Sequence, residues 1–147
     1  MSNAVFPYGI RFQEDGKLDI FPAAEISILG ERGQGVRAMF LLDSGATTSI
    51  LPIGDADVLG IKIDKDSKMF VRGFSGEEAI GYKQTISVAL GGMKLKIPII
   101  FVDAMVPRVL GREGVFTKFA IIFNESARRT GFFSAQREKK TINSIFS

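Results

Sequence analysis

The side chain best placed for chemistry is Asp43, within Ala38-Met39-Phe40-Leu41-Leu42-Asp43-Ser44-Gly45-Ala46-Thr47-Thr48-Ser49-Ile50. A strongly apolar strand runs straight into a carboxylate, two small residues follow, and the chain becomes apolar again. A carboxylate at the end of a buried strand is costly unless it is hydrogen-bonded, paired or open to a cleft. Gly45 allows a tight turn and close approach of another chain or a ligand. Taken alone, Asp43-Ser44-Gly45 also fits a plain strand-to-turn junction with Asp43 as an Asx-turn residue.

Absences narrow the chemistry. The 147 residues include no Cys and no His. Disulfides, thiolate nucleophiles, Ser-His-Asp triads and zinc held by Cys or His are therefore excluded within the chain. A hydrolase made from these residues must use carboxylates, Lys, Tyr or Ser, and no metal or other cofactor is expected. The net charge of +3 raises nucleic-acid binding as a class. The basic residues are scattered, however, except at Arg128-Arg129 and Arg137-Glu138-Lys139-Lys140, which read as solvated surface; no nucleic-acid partner is expected. No segment is long and apolar enough to span a bilayer as a helix, and no basic stretch followed by an apolar core opens the chain. The expected compartment is the cytoplasm, with no membrane partner.

A second motif lies downstream at Arg108-Val109-Leu110-Gly111-Arg112. The pair, Asp-Ser-Gly-Ala leading into Thr-Thr-Ser-Ile-Leu-Pro and then a hydrophobic-hydrophobic-Gly-Arg element, resembles the retropepsin-like aspartic peptidases. The resemblance runs from about Ile26 to Phe133. It implies an all-β fold with one or two short helices, a closed β-barrel of the acid protease type, and Asp43 as the catalytic residue in an active-site loop with Ser44, Gly45 and Ala46. It places Leu110, Gly111 and Arg112 beneath that loop as support.

The elements that must hold these residues are legible as strands and turns. With 46% hydrophobic residues, 13 Phe and no Trp, the chain has material for one Phe/Ile/Leu/Val core. One domain is expected over 1–147, with a core of about 17–135, an arm over 1–16 and a tail over 136–147. Phe6 to Asp19 reads as an irregular arm or first hairpin turning at Glu14-Asp15-Gly16. Glu25–Leu29 and Val36–Leu42 read as a hairpin through Glu31-Arg32-Gly33-Gln34-Gly35. Ile50-Leu51-Pro52 follows as a short buried strand and Gly54–Gly60 as a helical turn. Lys68–Gly73 and Ala79–Leu90 form the next pair. Gly91-Gly92 turns the chain into Lys94–Val102, which alternates and then becomes continuously apolar, as a strand entering a core does. Gly111–Phe119 reads as a short helix. Ala120–Phe123 and Thr130–Ser134 complete the strands around a turn at Asn124-Glu125-Ser126.

The Asp-Ser-Gly element occurs once, whereas two-lobed aspartic peptidases carry it twice. The resemblance therefore implies a homodimer in which each subunit supplies one Asp43, an isologous arrangement about a two-fold axis. It also implies that Ser44 reaches the partner's backbone, that the Gly45 carbonyl meets a peptide or protein substrate, and that Phe74, Ser75, Gly76 and Glu77 form the tip of a flap over the cleft. Two departures stand out. The tip keeps one central glycine beside Glu77 and Glu78, and Thr47 occupies a position where several relatives carry an acid that pairs with the motif's arginine. Arg112 thus needs another partner, with Glu113 adjacent. The alternation Thr141-Ile142-Asn143-Ser144-Ile145-Phe146 leaves the tail as either a dimer-interface strand or disordered. A non-proteolytic dimeric binding or assembly module is the second functional reading. A two-carboxylate glycosidase is a distant third, because no second acidic motif has a comparable setting.

Overall fold

A computed structural model describes residues 3–31, 35–73 and 75–147. Arg32, Gly33 and Gln34 of the expected hairpin turn, and Phe74 of the expected flap tip, lie outside the described residues.

The chain forms twelve described strands and two short helices. The central sheet contains β4 (Ala23–Leu29), β5 (Gly35–Leu42), β6 (Ser49–Pro52), β7 (Lys68–Arg72), β8 (Glu78–Leu90), β9 (Met93–Val102) and β10 (Val109–Leu110). Its order is β4-β5-β10-β6-β9-β8-β7. β8 is long enough to serve two neighbours along one edge: Glu78–Tyr82 pairs with β7, and Ser87–Ala89 pairs back to β4. That second pairing closes the sheet into a barrel, which removes the exposed edges that an open sheet must protect.

The inside of the barrel follows from strand alternation. β4 buries Ala24, Ile26 and Ile28, and β9 changes from alternating burial to continuous burial over Ile99–Val102. Phe40, Phe101, Leu51, Ile97 and Leu110 are fully buried. Burial of each such side chain contributes roughly 1.5–3 kcal/mol. Helix α1 (Gly54–Leu59) ends at Gly60 in a left-handed conformation, whose N–H returns to the carbonyls of Ala56 and Asp57.

Outside the barrel, β1 (Asn3–Pro7), β12 (Arg129–Phe133) and β11 (Ala120–Asn124) form a second sheet in the order β1-β12-β11. One face packs on the barrel through Ala4, Phe6, Ile121 and Phe132, and Phe132 meets Phe6 and Phe119 edge-to-face. β2 (Gly9–Phe12) and β3 (Leu18–Phe21) form a separate two-stranded ribbon, so the first-hairpin reading of this region holds. Its turn contains Gly16 at positive φ.

Two expectations are corrected. Gly111–Phe119 is a series of turns rather than a helix: Arg112 O accepts from both Val115 N and Phe116 N, and Gly114 takes a left-handed conformation that interrupts helical propagation. The tail is neither strand nor disordered but helix α2 (Gln136–Ile145). Gln136 to Lys140 are strong helix formers, and Ile142, Ile145 and Phe146 recur at i, i+3 and i+4, which is helical spacing as much as it is alternation.

Candidate active site

The site is assembled where β5 ends. Leu42, buried, donates its N–H to Pro22 O at 2.9 Å, and the next residue, Asp43, emerges with its side chain exposed. The loop then folds on itself. Asp43 Oδ1 accepts the Gly45 N–H at 2.8 Å, and Asp43 O accepts the Ala46 N–H at 3.2 Å. The Asx turn is therefore real, and it aims rather than hides the carboxylate: one oxygen is held by backbone while the group faces solvent. A Cβ on Gly45 would lie 3.2 Å from Asp43 Oδ1, tight enough to disturb that contact.

The second motif closes on the first from more than sixty residues away. β10 inserts between β5 and β6, parallel to the former (Val109↔Leu41, Leu110↔Leu42) and antiparallel to the latter (Val109↔Ile50). Leu110 O accepts the Asp43 N–H at 3.1 Å, Ala46 O accepts the Arg112 N–H at 3.0 Å, and Thr47 O accepts the Glu113 N–H at 2.9 Å. Gly111 is compulsory: a Cβ there would lie 2.7–2.9 Å from the backbone of Thr48 and Ala46. Its N–H is accepted by the fully buried Ser49 hydroxyl at 2.9 Å. Both ends of the catalytic-loop candidate are thus fixed by backbone bonds to Leu110–Glu113, where reading the sequence placed the support.

Arg112 finds Thr47 itself as a partner, Nη2 donating to Oγ1 at 3.3 Å. The substitution of Thr for an acid therefore keeps the contact while removing the charge. Glu113 instead faces Lys83 at 3.5 Å. Just upstream, Arg108 binds Asp55 of α1 through two bonds of 2.6 and 3.1 Å. That carboxylate holds the guanidinium above the usual arginine range, against the opposing effect of partial burial. The pair is largely exposed, so its worth is about 0.2–1 kcal/mol. Its role is to tie α1 to the segment entering β10, whose Arg108 O accepts the Leu41 N–H.

Among the expected flap residues, Ser75, Gly76 and Glu77 lie at the exposed tip of the β7–β8 hairpin. Gly73 N donates to Glu77 O at 2.9 Å, Gly76 N to Gly73 O at 3.0 Å, and Arg72 meets Glu78 across the base at 2.8 Å. Gly76 has φ +81, a conformation that L side chains resist. Ser44 is exposed, and its hydroxyl makes no hydrogen bond among the described residues. Ser49 and Asp55 were not singled out by sequence reading. A serine inside an apolar strand start, Ser49-Ile50-Leu51, was the signal available for the first, while the second has only a helix first turn. Among the described residues no group of acidic side chains is arranged to hold a metal ion, and no helix is long and apolar enough to cross a membrane.

Residues 32–113 match the family described as "gag-polyprotein putative aspartyl protease". This match spans more than half of the chain and includes both motifs, so the chain belongs to that family of retropepsin-like aspartic proteases. The fold is similar to that of a retropepsin-like aspartic protease from Rickettsia conorii, with a TM-score of 0.59 and 17% identity, covering 89% of this chain and 98% of that one. It is also similar to EIAV protease complexed with the inhibitor HBY-793, with a TM-score of 0.52 and 22% identity, covering 63% of this chain and 82% of the other. At these identities the likeness is one of fold. No curated protein matches the chain.

Proposed function

We propose that this protein is an aspartic endopeptidase that acts as a homodimer, with Asp43 of each subunit meeting at the two-fold axis. The observation that carries this reading is the exposed Asp43 carboxylate at the end of a buried strand, in a loop bonded on both sides to Leu110–Glu113. Such a loop is preorganised, as a group aimed at reacting atoms must be. One chain offers one such carboxylate, and general acid–base hydrolysis by carboxylates needs two.

In a facing pair, two like charges cannot both ionise readily, so the pair holds one proton between them. The ionised member takes a proton from a bound water, and the water oxygen attacks the peptide carbonyl. The protonated member polarises that carbonyl and supplies the proton its oxygen acquires. The resulting apparent pKa values belong to the pair. The free Ser44 hydroxyl suits a bond to the partner's backbone, and the β7–β8 tip suits closure over an extended peptide bound as an added strand.

The test is Asp43→Asn. It should abolish cleavage of an unfolded protein substrate while leaving the fold and the dimer intact. Wild-type specific activity should also fall on dilution below the dimer dissociation constant. Unchanged cleavage by the Asn variant would overturn the mechanism. A dimer inactive at every pH tested would support the non-proteolytic binding module instead.

A further inference from the structure

The barrel covers its apolar surface well, but the terminal segments do not. Of the 13 exposed large hydrophobic residues among the described residues, eight lie outside the family-matched span 32–113. They occupy three surfaces. On the β2–β3 ribbon, the pairs Ile10↔Ile20 and Phe12↔Leu18 share one face, since paired residues and i, i+2 neighbours point the same way. That face covers nothing, and Phe12 is 78% exposed. The opposite face is finished by the Arg11–Asp19 ion pair and by Arg11 over the Phe21 ring. On the outer face of the β1-β12-β11 sheet, Val5, Gly131 and Ile122 form one row, with the Phe133 ring over Gly131. Val5 and Ile122 are exposed. Helix α2 buries no residue, and Ile145 and Phe146 project at its end, Phe146 85% exposed.

We infer that these three surfaces receive a second copy of this chain, and that the subunits meet by stacking the terminal segments rather than by exchanging terminal strands. This rests on the reading that Asp43 must meet the partner's Asp43. β1 and β12 already pair within one chain, from Asn3↔Phe133 to Pro7↔Arg129, so neither waits for a partner's strand. The area suffices. At about 200 Å² for an aromatic side chain and somewhat less for an aliphatic one, the exposed fractions on the three surfaces come to about 800 Å², which is what one partner contributes to an interface of standard size.

Charge sets the orientation. The ribbon leaves β1 at its Pro7 end, whereas α2 follows β12 at the Phe133 end, beside Asn3, so they sit at opposite ends of the sheet. The ribbon carries Glu14, Asp15 and Asp19 against Arg11 and Lys17, a net −1, and α2 carries Arg137, Lys139 and Lys140 against Glu138, a net +2. A two-fold that sets the two sheets antiparallel places each ribbon against the partner's helix and joins opposite charges. The parallel alternative would join like with like.

Because the chain has no Cys, Pro7→Cys combined with Arg129→Cys reports the pairing directly. After oxidation, a denaturing non-reducing gel should show a single-chain band while sedimentation still shows a dimer. A covalent dimer on that gel would mean exchanged strands and would overturn the inference. Independently, Phe12→Asp and Phe146→Asp should each raise the dimer dissociation constant at least tenfold, whereas Val58→Asp, equally exposed on α1 of the barrel, should leave it unchanged. Unaltered sedimentation of both terminal variants would also overturn the inference, whether or not the crosslink forms. Sedimentation does not depend on hydrolysis, so an inactive dimer dissociated by these variants would refute the peptidase reading and keep the interface.

Discussion

The buried hydroxyl of Ser49 accepts the backbone N–H of Gly111 across 62 positions of sequence, at 2.9 Å. This bond joins the two motifs at the point where no side chain fits on residue 111. Removing it leaves a buried N–H without a partner, which costs about 1–3 kcal/mol. Ser49→Ala should lower stability by that amount in denaturant unfolding and reduce peptide cleavage with it, because the loop bearing Asp43 loses part of its floor. Gly111→Ala should be worse, about 3 kcal/mol or more, since the added methyl meets backbone that cannot rotate away. A Gly111→Ala protein of wild-type stability would refute this account of the clamp.

Gly76 allows a different separation of effects. The hairpin tip is exposed and buries little, so a substitution there barely touches the core. Gly76→Val forces a β-branched side chain onto φ +81, a strain of about 1–3 kcal/mol that the tip relieves by changing shape. Peptide cleavage should fall by an order of magnitude or more while the melting temperature shifts by a few degrees at most. Normal turnover and normal peptide affinity in this variant would make the hairpin a connector only.

Thr130 is fully buried in β12, and its hydroxyl is without a hydrogen-bond partner. A desolvated, unpaired hydroxyl is unfavourable. Thr130→Val keeps the shape and removes that group, so it should stabilise the protein by about 1 kcal/mol, raising the melting temperature by roughly 2–4 °C. A lower melting temperature would show that the hydroxyl is satisfied in solution.

Tyr8 governs alkaline behaviour. It is buried, and its hydroxyl donates to Glu125 Oε2 at 3.0 Å. Burial first, then the hydrogen bond and the charge of Glu125, raise the phenol above its usual range. A group whose folded pKa is raised stabilises the fold fully below its unfolded value, near 10 for tyrosine, and loses that contribution as pH rises through the folded value. Stability should therefore decline above about pH 10 in the wild type, and Tyr8→Phe should flatten that decline. Parallel alkaline unfolding curves for the two proteins would remove Tyr8 as the cause.

Much of this architecture could be read from local pattern. Alternating apolar residues and Gly- or Asp-rich turns located β4, β5, β8 and β9, because a strand's burial follows its own side-chain period. The Asp43 loop and Arg108–Arg112 stood out for residue type and order. Where two local patterns coincide, as in Thr141–Phe146, alternation and helical spacing could not be told apart, and the helix formers preceding them decided the outcome. Gly111–Phe119 had helical content, but Gly114 took a left-handed turn against the strand it packs on, with Ile97 and Lys96 as neighbours. The remaining features have no local signature. Closure of the barrel by β4 on β8, insertion of β10 between β5 and β6, and the joining of Thr47 with Arg112 each satisfy backbone or side-chain groups across long stretches of sequence. Sequence alone determined which residues were equipped for acid–base chemistry and which segments would be strands. The tertiary structure decided which distant backbone groups meet, because a buried N–H or carbonyl must find a partner wherever the packed chain supplies one.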